Sequence, residues 1–133
     1  MAKIATVAVE DLTTEINDEA QYFPIIFESD GTLSITNSGT AVAAARLTIV
    51  PKNDIMLLTI EGMSEEPITM EKIKAGQLLI IDGINRDITL DGENNFENYH
   101  GWEFPKLQPG VNRIKITNAD RMALSIEYQP RYI

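Results

Sequence analysis

The residues best suited to binding chemistry stand together: Tyr99, His100 and Trp102, the last two being the chain's single histidine and single tryptophan. Flat amphipathic rings at this spacing combine area with a hydrogen-bonding edge, the chemistry of stacking on a sugar ring. The same run continues into Phe104-Pro105 and Leu107, which more often means side chains folded over the open end of a β-structure or against another subunit. Catalysis has little to build on. One histidine cannot make a His-rich metal site, no Ser or Asp partners it in a nucleophile-elbow pattern, and the lack of cysteine removes thiol chemistry, disulfides and Cys-based zinc. His100 therefore reads as a loop histidine that bonds locally. Asp82, Asp87, Asp91, Glu93 and Glu97 crowd one stretch and invite a calcium reading, but Asp82 to Asp87 lacks the alternating ligands and closing Glu of an EF-hand loop. They read as a solvated acidic edge. The glycines are single and follow neither the P-loop nor the dinucleotide pattern. No catalytic residue, metal or cofactor is expected.

Charge narrows the partners. Eleven Lys and Arg against twenty Asp and Glu give a formal net charge of -9, and the basic residues are scattered, where a nucleic-acid binder would cluster them to neutralise phosphates. No nucleic acid is expected. Apolar runs such as Leu78 to Ile81 fall far short of the roughly 20 residues a membrane helix needs, so no membrane insertion is expected either. At 133 residues the chain fits one domain that can bury a core without staples.

The elements that must position these residues are strands. Turn chemistry recurs at Ser29-Asp30-Gly31, Asn37-Ser38-Gly39, Glu61-Gly62, Asp82-Gly83 and Gln108-Pro109-Gly110, and the segments between are rich in Ile, Val, Leu and Thr, several alternating with period two. Strands are read at Tyr22 to Glu28, Thr32 to Thr36, Ala43 to Val50, Met56 to Glu61, Ile68 to Ile73, Gln77 to Asp82, Asp87 to Leu90, Asn112 to Thr117 and Met122 to Gln129. That count belongs to an all-β antiparallel sandwich. Asp82-Gly83 reads as the hairpin turn between two of them, through the positive φ angles Asp-Gly tolerates, and the unbroken run Leu78 to Ile81 as a central strand buried on both faces. Two stretches break the rhythm. Met1 to Asn17 reads as an added strand, a short helix or a mobile arm, and Gly92 to Pro109 is a long connection that is either functional or closes one end of the sandwich.

Five phrases in order carry a resemblance: Gly31 to Thr40 (GTLSITNSGT), Ile60-Glu61-Gly62, Gly76 to Gly83 (GQLLIIDG), Phe104 to Ile114 (FPKLQPGVNRI) and Ile126 to Tyr132 (IEYQPRY). Together they resemble the C-terminal domain of the distal tail proteins of long-tailed phages and their prophages, from roughly Tyr22 to the C-terminus. The resemblance implies a galectin-like, jelly-roll-type β-sandwich over residues 21–133, with residues 1–20 as an N-terminal arm or extension. Because it begins only near Tyr22, the chain is expected to be either an excised domain or a product that keeps the sandwich without the family's ring-forming domain. The implied role is a non-enzymatic structural component of the virion tail, at the tail tip or baseplate. Such a component is assembled in the bacterial host cytoplasm and contacts other tail proteins, here as a homo-oligomer joined through the arm or an exposed sheet edge. The alternative is a carbohydrate-binding module that presents Tyr99, His100 and Trp102 to a cell-surface glycan. The physical content of the phrases stands beside the name: Pro109-Gly110 makes the reversal into the penultimate strand, Asn112 bonds its own backbone at the strand start, Leu107 and Ile114 face the core, and Pro130 stops the last strand.

Overall fold

The computed structural model describes residues 3–5, 25–27, 30–101, 103–118, 121–129 and 131. Its strands are β1 (Lys3–Ala5), β2 (Ile25–Phe27), β3 (Gly31–Asn37), β4 (Ala43–Pro51), β5 (Ile55–Glu61), β6 (Ile68–Ile73), β7 (Leu79–Asp82), β8 (Asp87–Leu90), β9 (Glu93–Asn94), β10 (Tyr99–His100), β11 (Lys106–Leu107), β12 (Gly110–Thr117) and β13 (Met122–Tyr128), with one 3-10 turn at Phe96–Asn98. All pairings between them are antiparallel. One sheet runs β1-β13-β4-β7-β8-β9, with β2 also on β13 and β11 also on β4; the other runs β10-β6-β5-β12-β3.

Alternation decides which face each strand turns inward. In β13, Met122, Leu124, Ile126 and Tyr128 are buried while the residues between are half-exposed, and β4 repeats the pattern through Ala43, Ala45, Leu47 and Ile49. Register stacks the inward residues in rows: Leu47 lies opposite Ile126 on one side and Ile81 on the other. In the second sheet Ile114 faces Leu33, and Ile60 lies between Ile116 and Ile68. The two inner faces close on a single hydrophobic core. With each buried Ile or Leu contributing about 1.5–3 kcal/mol, the sandwich holds without a covalent staple.

All nine strands expected from the sequence are present. The Asp82-Gly83 hairpin also forms, β7 pairing with β8, but its turn works differently from the expectation. Gly83 does not carry the positive φ; Arg86 does, at 56°. The Asp82 carboxylate organises the connection instead, accepting the N–H groups of Ile84 and Asn85, both at 2.9 Å. Gly83 is required by crowding, since a Cβ there would lie 2.5 Å from the Pro105 carbonyl oxygen and 2.6 Å from that of Ala45. Strand β7 is central as expected, between β4 and β8, but only its inner face is fully buried; Ile80 on the outer face is half-exposed. Of the expected extension over residues 1–20, Lys3–Ala5 pairs along β13 and the remainder lies outside the described residues, as does Pro130.

The long connection after Gly92 bridges the two sheets. It pairs with β8 through β9, crosses to the other sheet where β10 pairs with β6, and returns where β11 pairs with β4. These strands are two residues long and have no periodicity of their own; tertiary pairing makes them.

Candidate functional site

Within that connection Tyr99 and His100 are adjacent on an edge strand and differ in surroundings. The Tyr99 ring stacks on Phe104 with centroids 6.1 Å apart and planes 18° from parallel, and its hydroxyl donates to the Glu103 carbonyl at 2.8 Å. Burial, with the nearby Glu103 charge adding to it, pushes its pKa up to about 12, so the hydroxyl stays protonated and keeps donating. Phe96 meets Phe104 edge-on, also at 6.1 Å. His100 is exposed, with Nε2 2.9 Å from a Glu71 carboxylate oxygen. Trp102 lies outside the described residues. The acidic stretch is spent on the backbone: Asp82 holds its turn, Asp87 accepts the N–H of Ile88, and Asp91 accepts that of Leu78. Among the described residues no three His, Asp or Glu side chains gather into a metal-holding group.

The phrases that stood apart in the sequence meet at one crossing. Asn37, 1% exposed, donates through Nδ2 to the carbonyls of Ala41 and Leu107 at 3.2 and 3.1 Å, and its Oδ1 accepts the Gly39 N–H at 2.9 Å. That turn clamps the chain's end: Thr40 and Ala41 both donate backbone N–H to the Arg131 carbonyl, at 2.8 and 3.2 Å. Gly39 lies so close that a Cβ would fall 2.5 Å from the same oxygen. Asn112, 6% exposed, accepts the N–H of Gln108 at 2.9 Å and donates to the carbonyls of Gln108 and Gly110 at 2.8 and 3.1 Å. It thereby rigidifies the reversal, where Gly110 sits at φ 90°. Between these points Pro105 accepts from Ala45 at 3.0 Å and Lys106 donates to the Met63 carbonyl at 2.9 Å. NSGT, FPKLQPGVN and Arg131 are thus parts of one structure.

Residues 38–132 match the family model described as siphovirus-type tail component, C-terminal domain. The chain belongs to that family. A search of curated proteins finds no match. Among solved structures the chain is similar to the SPP1 Dit (gp 19.1) protein, at 9% identity and a TM-score of 0.54, over 74% of this chain and 45% of that one. The chain thus corresponds to less than half of the SPP1 protein's length, and the likeness shows the shared fold. The family match covers the crossing from Ser38 onward, and within it the phrases make hydrogen bonds that one another complete.

Beside the crossing of this tail-component domain a groove of about 490 Å³ opens between the β7–β8 turn, Phe104 to Lys106 and Arg131. Of its rim, Phe104, Pro105, Lys106 and Arg131 fall within the phrases quoted from the sequence, whereas Arg86 does not. Arg86 is an isolated charge within a turn, and nothing in local periodicity shows that it shares a groove with a residue near the C-terminus.

Proposed function

We propose that this domain is a non-enzymatic structural part of the distal end of a phage tail, where it makes protein–protein contacts within a homo-oligomer. It is assembled in the bacterial host cytoplasm and carried in the virion. The observation that carries the reading is the family match over residues 38–132, and the sandwich's likeness to SPP1 Dit, a protein described as a paradigm of the hub adsorption apparatus in phages infecting Gram-positive bacteria, supports the distal position. The geometry supports a contact role as well. The side chains with chemical capacity, Asp82, Tyr99, Glu103 and Asn112, are committed to backbone groups that hold loops in place, which favours a rigid presenting surface over a reaction centre. The test is in-frame removal of the gene from the phage or prophage that carries it. Filled heads without adsorption-competent tails, rescued by the wild-type gene, are expected; intact infectious particles from the deletion strain would refute the reading.

A further inference from the structure

The chain carries eleven basic residues against twenty acidic ones, yet three basic side chains, Arg86, Lys106 and Arg131, line a groove beside the motif crossing. Its lining includes an acidic residue, Glu103, and that carboxylate is committed. One oxygen accepts Lys106 Nζ at 3.0 Å and the other accepts the Glu65 N–H at 2.9 Å, and these bonds, from Glu65 first and Lys106 second, hold its pKa below the usual glutamate value. Lys106 is therefore neutralised in place. Arg86 and Arg131 are exposed and have no carboxylate partner among the described residues.

The main chains that carry these two guanidinium groups are fixed. Arg131 is clamped by the N–H groups of Thr40 and Ala41. Arg86 occupies the left-handed region at φ 56°, where Asn or Gly would be at ease and a residue with a long side chain is strained by about 1 kcal/mol or more. Phe104, Pro105 and Val42, the last 39% exposed, line the same groove.

Two free cations beside an apolar wall fit a ligand with few, well-spaced carboxylates and apolar groups between them. A guanidinium receives a carboxylate through two parallel hydrogen bonds, and an extended peptide alternates its side chains with period two. A chain charged at every unit, such as a nucleic acid or heparin, fits poorly, because two arginines offset only two of its charges against a protein at net charge -9. We propose that this groove binds an extended segment of a partner tail protein in which carboxylate side chains alternate with apolar ones. The proposal rests on the tail-contact reading above and names the chemistry of the partner.

The probe is the fluorescein-labelled peptide Val-Glu-Val-Glu-Val, with one carboxylate for each arginine, titrated with the full chain by anisotropy at about 0.1 M salt, where the Debye length of ~10 Å screens the distant carboxylates. Saturable binding is expected. Arg86→Gln and Arg131→Gln should each weaken it about tenfold and the double variant about a hundredfold, with melting curves unchanged because both side chains are exposed. An alternating Lys and Val peptide should not bind, and inorganic phosphate at matched ionic strength should not compete. The proposal is overturned by absence of saturable peptide binding, by equal affinity in the double variant, or by displacement at equal charge concentration with phosphate or heparin, which would mark a general anion site. Mass spectrometry of purified particles separates this from the broader reading. Protein present in tails with no peptide binding ends the groove proposal alone, whereas peptide binding by a protein absent from tails ends the tail reading and leaves the groove chemistry standing.

Discussion

Asn37 is the side chain on which the motif crossing turns, and its replacement gives a graded prediction. It is 1% exposed and makes three hydrogen bonds, two as donor to the Ala41 and Leu107 carbonyls and one as acceptor from Gly39. At about 1 kcal/mol net for each bond, Asn37→Ala should lose about 3 kcal/mol, which for a domain of this size lowers Tm by roughly 8–12 °C. Asn37→Asp separates hydrogen bonding from volume. It keeps the acceptor for Gly39 but turns a carboxylate toward two carbonyl oxygens in a buried site, so at pH 7 it should be less stable than the alanine variant. Burial and the facing carbonyls raise the folded pKa of that aspartate above the unfolded value of about 3.9. The penalty is then absent below about pH 4, where the group is protonated in both states, and grows as pH rises through the folded pKa. Thermal unfolding followed by circular dichroism from pH 3.5 to 7.5, for wild type and both variants, measures this. An aspartate variant as stable as wild type at pH 7, or one whose deficit does not grow with pH, refutes the assignment of Asn37 as a buried donor.

Other predictions follow from single contacts. Gly62 sits at φ 101° with a virtual Cβ 2.2 Å from the Arg113 carbonyl oxygen, so Gly62→Ala should cost roughly 3 kcal/mol or more in urea unfolding, and a change below 1 kcal/mol would show that the Gly62 turn is not held against β12. Burial raises the Asp82 pKa, but hydrogen bonds from Asn85 and Arg46, with the Arg46 charge, outweigh it and hold the pKa below the usual value. Its contribution is present above the unfolded pKa and lost as pH falls through the folded one, so the stability gap between wild type and Asp82→Asn should narrow below about pH 4. Tyr99, raised to about 12, should titrate well above the ordinary tyrosine range in ultraviolet absorbance, and Tyr99→Phe should remove that step. Because its unfolded counterpart ionises near 10, its stabilisation is complete below that pH and declines between about 10 and 12. Deleting residues 1–20 should lower the mass measured by light scattering without abolishing the cooperative melt; an unchanged mass counts against the arm as a subunit contact.

The strands were legible because burial imposes period two on them: Leu124, Ile126 and Tyr128 in β13 point one way and the residues between point the other. The short strands β9, β10 and β11 were not, since two residues hold no period and their pairing depends on a partner strand far along the chain. Turn residues were visible as a class but not in mechanism. Asp82-Gly83 marks a hairpin correctly, yet the aspartate acts by accepting N–H groups and the glycine by yielding space to Pro105 and Ala45. The candidate site divides the same way. The phrases NSGT and FPKLQPGVN mark positions of consequence, but their meeting at Asn37 joins residues 70 apart, and Arg86 and Arg131 share a groove only once β4, β7 and the crossing have folded. Periodicity reports a residue's own strand, whereas a groove depends on distances that no local pattern contains.

The central claim is that this domain is carried at the distal end of a phage tail. Gold-labelled antibody against the folded domain, applied to particles purified from a strain bearing the gene and viewed by negative-stain electron microscopy, tests it directly. The account predicts label confined to the tail end opposite the head and absent from particles of the deletion strain. Label on the head, along the whole tail, or equal on both kinds of particle would contradict it.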